Sequence, residues 1–114
     1  MVKTIQIGGG EVTLAANAAT PYRFKQVFNE DLFQIFAATR NKTEEENASL
    51  TDTVAKLAFI MCKQAEKADM NMVSMVDFFD WLEGFGPMDL VFAGEEIMNF
   101  YNSSTKGSVE AKKK

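Results

Sequence analysis

The chain has 114 residues, 46% hydrophobic and 25% charged, which suits one globular domain with its own core. It has no histidine and one cysteine, Cys62, which excludes an internal disulfide, a Cys/His zinc site and any Ser-His-Asp or Cys-His catalysis. No run of 18 apolar residues spans a membrane, residues 1–20 do not read as a signal peptide, and the net charge of −4 disfavours nucleic acid, so a soluble intracellular protein is expected.

The charge is unevenly spread. Residues 1–68 carry eight acids and eight bases. Residues 69–105 carry seven acids and no base, and residues 106–114 carry four lysines and Glu110.

Lys3 to Ile7 and Glu11 to Leu14 alternate polar and apolar around Gly8-Gly9-Gly10. This predicts a β-hairpin over residues 3–14 with Ile5, Ile7, Val12 and Leu14 on one face. The glycines lack the Gly-Lys-Ser/Thr ending or the spacing of a phosphate loop. A lone hairpin is marginal in water, so it must pack on helices or pair with another chain's edge.

Thr20-Pro21 predicts a helix start, with Thr20 as cap and proline at the first helical position. Asn29 suits a left-handed helix end, after which Asp31 caps a second short helix through Phe36; one helix from Pro21 to Ala38 competes. Arg40 to Asn47 reads as a polar loop. Adjacent Glu44, Glu45 and Glu46 lack the spacing of a calcium cage.

Ser49 and Asp52 resemble a capping box before a helix over 50–68, about 28 Å long. Its apolar stripe is Leu50, Val54, Leu57, Ile60 or Met61, Gln64 and Ala68; Lys56, Lys63, Glu66 and Lys67 form the other face. Cys62 reads as a small buried or half-buried hydrophobe. Ser74 and Asp77 form a second box before Phe78, Phe79, Trp81, Leu82 and Phe85, and Gly86-Pro87 ends that helix. A last helix starts near Pro87 or Asp89, weakened at Gly94, and residues 102–114 read as a flexible polar, Lys-ended tail. The fold class is mainly α: a bundle of four to five helices with an N-terminal hairpin, one domain over 1–101.

Asp77, Asp80 and Glu83 line one helix face, where the expected role is solvation rather than acid–base work, so no enzyme and no cofactor is expected. An interaction surface fits better. Residues 69–105 hold five of the seven methionines and seven aromatic residues. Adjacent Phe78 and Phe79 cannot both point into one core. Methionine suits adaptable apolar surfaces, and acids around such a surface favour amphipathic helices bearing Lys or Arg.

Several stretches resemble the small tail assembly chaperones of long-tailed bacteriophages of Gram-positive hosts. These are Thr4-Ile5-Gln6-Ile7-Gly8-Gly9 with Glu11-Val12-Thr13-Leu14, Ala18 to Lys25, Phe28 to Leu32, Leu57 to Ala65, and Phe79-Asp80-Trp81-Leu82. The likeness runs over residues 3–101; Asn29 and Gly94 depart from it. The resemblance implies a non-catalytic protein of the host cytoplasm that binds the tape measure protein, coats it until tail tube protein polymerises, and is absent from the virion. It also implies a longer frameshifted form of the same chain. Lys112-Lys113-Lys114 would suit a slippery adenine run and reads equally as a basic solubilising tail.

The client surface expected on this basis is Phe78, Phe79, Trp81, Phe85, Met88, Phe92 and Met98. Self-association, expected because many weak contacts along a client multiply affinity, falls on the hairpin residues Thr4, Ile5, Ile7, Val12 and Leu14. The alternatives are a structural adaptor retained in the virion, a carboxylate-based hydrolase or transferase, and an acidic inhibitor of a basic partner.

Overall fold

Alternating residues at the N-terminus do build an antiparallel hairpin, β1 (Val2–Ile7) and β2 (Gly10–Ala15), with Ile5 opposite Val12 and Thr4 opposite Thr13. The computed structural model describes the backbone of residues 1–39 and 50–113 and the side chains of 1–37 and 51–104. Ile5, Ile7, Val12 and Leu14 are buried on one face; Val2, Thr4, Gln6, Glu11 and Thr13 lie exposed on the other. Gly8 takes φ +63 in the turn. The Met1 and Ala16 backbones exchange bonds of 2.9 and 3.2 Å, extending the ladder by one pair. Bonded and non-bonded pairs alternate in such a ladder. The N–H and C=O groups of Val2, Thr4 and Gln6 therefore point out of the edge of β1, which no other described strand pairs, and those of Glu11, Thr13 and Ala15 out of β2.

Helix α1 (Thr20–Phe28) begins one residue earlier than expected. Ala19, not Thr20, is the N-cap, because Asn17 turns the chain: its Oδ1 accepts the Ala19 N–H at 2.9 Å. The Thr20 hydroxyl faces backwards and accepts the Asn17 N–H at 3.0 Å. At the other end Asn29 takes φ 58, and its N–H reaches the Lys25 carbonyl at 2.8 Å. The left-handed residue rules out one continuous helix. Asp31 Oδ1 then accepts the N–H groups of Phe33 (3.0 Å) and Gln34 (3.3 Å), capping α2 (Leu32–Thr39).

Helix α3 (Leu50–Ala65) is the centre of the molecule. Every residue from Thr53 to Cys62 except Lys56 is buried, so it is covered nearly all round rather than along one stripe. Strand β2 lies over it, α1 flanks it, and the last helix crosses it. Lys56, expected on a solvated face, is largely covered. Its Nζ is 2.8 Å from Glu30, 3.2 Å from Asp52 and 5.3 Å from the centre of the Phe28 ring. Burial alone would lower its pKa, but the two carboxylates outweigh that and raise it. The helix ends before Ala68: Lys67 takes φ 59, and the Ala68 N–H closes on the Lys63 carbonyl at 3.0 Å. The expected Arg40–Asn47 loop, the Glu44–Glu46 cluster and the Ser49 half of the first capping box lie outside the described residues.

A short 3-10 turn (Met70–Met72) packs on α1 and leads into α4 (Met75–Leu82). Asp77 Oδ2 accepts the Ser74 N–H at 2.9 Å, the reciprocal bond of a capping box, and the Ser74 hydroxyl also donates to it at 3.3 Å. Helix α5 (Asp89–Lys113) starts where Asp89 Oδ2 accepts the Gly86 N–H at 2.7 Å. No proline follows Tyr101, and the helical backbone runs on through Gly107 to Lys113 instead of ending there; the Ser104 hydroxyl donates back to the Tyr101 carbonyl at 2.7 Å. Strand β1 lies over α5. The result is the small α+β fold expected, helical apart from its hairpin. No described helix is long and apolar enough to cross a membrane.

Candidate client-binding surface

Phe78 and Phe79 part company as helical geometry demands. Phe78 is 2% exposed and Phe79 55%. Phe78 is core: its ring meets Phe28 edge-on at 5.3 Å and Phe59 at 5.4 Å. It is therefore removed from the client surface, because the inward register of α4 is set by Phe78 with Trp81 and Leu82, and these pack on the core together with Phe85 just past the helix. Trp81 and Phe85 are half-buried, with ring centres 4.8 Å apart.

The remaining expected residues do not form one patch. Phe79 is exposed on α4, and Met88 is exposed just before α5. Phe92, 78% exposed, lines a groove beside β1. Met98 is half-buried and lines a separate hollow between α3 and α5 with Val54 and Val91. What does sit together on the outer side of α4 is Met75, Val76 and Phe79, at i, i+1 and i+4; Met72, also exposed, ends the preceding 3-10 turn, beyond the extended Val73 and Ser74. Met75 and Val76 are absent from the surface expected from sequence, yet the register of α4 supplies them. Once Phe78 points inward, residues one position away on the helix wheel point out. Asp80 and Glu83 are exposed on the same helix end, while Asp77 is engaged as the cap.

The hairpin side chains need the same correction. Ile5, Ile7, Val12 and Leu14 are committed to the core and cannot contact a second copy. Only Thr4 faces outward, where its hydroxyl shares a 2.9 Å bond with Thr13. Any strand pairing uses backbone edges, not those apolar groups.

Cys62 is buried, and its Sγ donates to Glu66 Oε2 at 3.4 Å. Burial first, then the Glu66 carboxylate, push the thiol from 9.0 up to about 11. An acid raised in this way is neutral in the folded state while the unfolded thiol already ionises. Its contribution to stability is complete below pH 9 and falls as pH rises from 9 towards about 11. The urea midpoint of the wild type is expected to decline over that window more steeply than that of Cys62→Ala. Parallel curves would show that Cys62 does not titrate with folding.

Among the described residues no three His, Cys, Asp or Glu side chains are grouped to hold a metal ion. Compared with protein-family models, curated proteins and solved structures, the chain matches none.

Proposed function

We propose that this protein is a non-catalytic tail assembly chaperone that binds and solubilises the tape measure protein of a phage tail in the host cytoplasm. The segment resemblance supports this reading. The observation that carries it is the exposed stripe of Met75, Val76 and Phe79 on α4, set in a stretch of chain with seven acids and no base. Such a stripe suits the apolar face of a client helix flanked by Lys or Arg. Each contact is small, so useful affinity requires many copies on one long client, together with self-association and the longer form of the chain.

The test is co-expression with the long helical protein encoded nearby, followed by pull-down and light scattering. Soluble client carrying many copies of this chain is the expected result. Val76→Ser with Phe79→Ser should keep the fold, because both side chains are exposed, and should lose the client. Client that stays insoluble, with this chain recovered from purified mature particles, would replace the chaperone with a structural adaptor.

A further inference from the structure

We propose that the groove between the free edge of β1 and α5 binds an extended, basic segment of another protein as a third strand of the hairpin sheet. The inference stands apart from the α4 stripe and does not depend on the client's identity.

The groove is open and measures ≈ 660 Å³. Met1, Val2 and Lys3 form one wall; Phe92, Glu95, Glu96 and Asn99 form the floor. It continues towards the hairpin turn as a hollow of ≈ 310 Å³ that shares Phe92 and Glu96 and adds Gln6, Gly8 and Asp89. Two features make it a strand site rather than a surface dent. First, the backbone groups of Val2, Thr4 and Gln6 point out of the β1 edge and are not used by the β1–β2 ladder. An incoming strand about 4.8 Å away would complete three pairs of bonds. Second, the exposed floor lies beyond that edge, so the third strand would rest on α5 much as β1 does.

The spacing fits as well. Alternate residues of a strand are about 6.6 Å apart, and residues four apart on a helix rise by about 6 Å. A strand running opposite to β1 would place successive inward side chains over Phe92 and Glu96, and the next just past Asn99, which rises only about 4.5 Å beyond Glu96. That order selects an apolar residue, then Lys or Arg two positions on, then a polar residue. The carboxylates of Asp89, Glu95 and Glu96 against one lysine, Lys3, set the sign of the charge.

A second copy of this chain does not suit the site. Its own β1 is backed by its own α5, a rod about 10 Å across. Two β1 edges at sheet spacing would drive the two protruding helices into the same space. An isolated extended segment has no such backing.

The probe is a fluorescein-labelled peptide, Thr-Leu-Thr-Arg-Thr-Asn-Thr, with a control in which Glu replaces Arg. Anisotropy should show saturable binding of the first and at least about tenfold weaker binding of the control. Amide exchange of Val2, Thr4 and Gln6 should slow on binding. Two variants locate the site. Thr4→Pro removes an outward N–H that the hairpin ladder does not use. Glu95→Lys with Glu96→Lys reverses the floor without touching the core. Each should lose at least about tenfold in affinity at an unchanged urea midpoint; if Thr4→Pro does not fold, the double charge variant decides. Binding that leaves the edge amides unprotected, that survives the charge reversal, or that never saturates would overturn the proposal. Edge amides protected without peptide, in proportion to protein concentration, would put a second copy there and overturn it too.

Discussion

Replacing Phe59 by alanine is expected to remove about 3–5 kcal/mol of folding stability, the largest loss from any single side chain here. Phe59 is fully buried on α3, the helix covered on nearly all sides. Its ring sits 6.2 Å from Phe28, 5.4 Å from Phe78 and 5.5 Å from Trp81, and Lys63 Nζ lies 5.6 Å from its centre. Truncation would open one cavity shared by α1, α3 and α4, and none of the three can close it without moving off the others. Domains of this size hold roughly 5–15 kcal/mol in total. The urea midpoint should therefore drop by about 1 M or more. Phe79→Ala, on the neighbouring but exposed ring, should cost no more than about 1 kcal/mol. Equal costs at Phe59 and Phe79 would mean that the aromatic cluster is packed differently from this arrangement.

Gly8→Ala is the second large effect, expected at about 2–4 kcal/mol. Two causes add. The turn holds Gly8 at φ +63, where a side chain costs about 1–2 kcal/mol. An added Cβ would also fall 2.2 Å from Asp89 Oδ2, the oxygen that accepts the Gly86 N–H. Asp89 can swing aside only by giving up that charge-assisted bond, worth about another 1–2 kcal/mol. The two positions should thus be coupled. In a double-mutant cycle, Asp89→Ala should cost clearly less in the Gly8→Ala background than in the wild type, because the bond is already lost. Strict additivity would place the whole penalty in the backbone and remove the contact between the hairpin turn and the start of α5.

Much of this architecture is legible from residue order alone, for local reasons. The hairpin follows from strict alternation about three glycines, and the α1–α2 break from one asparagine that tolerates the left-handed region. Asp31 and Asp77 announce helix starts because short acidic side chains reach free N–H groups. What local chemistry does not carry is how many neighbours a helix has. The stripe on α3 is real, but the hairpin, α1, α4 and α5 close over it from several sides, so Lys56 ends up covered and paired rather than solvated. The candidate surface suffers from the same gap. Composition marks 69–105 as rich in aromatic residues and methionine, and adjacency shows that Phe78 and Phe79 must diverge, but only packing against Phe28 and Phe59 fixes which one turns in. The groove beside β1 has no motif at all, since it is formed by residues nearly ninety positions apart in the chain.

Trp81 is the sole tryptophan of the chain and stands half-buried where α4 meets α3, its ring against Phe59 and Phe85. The two tyrosines, Tyr22 and Tyr101, sit on other elements. Light absorbed near 295 nm therefore interrogates one junction and nothing else. The emission maximum becomes an optical gauge of whether α4, the element bearing the exposed apolar stripe, is seated or lifted, without any label or added mutation.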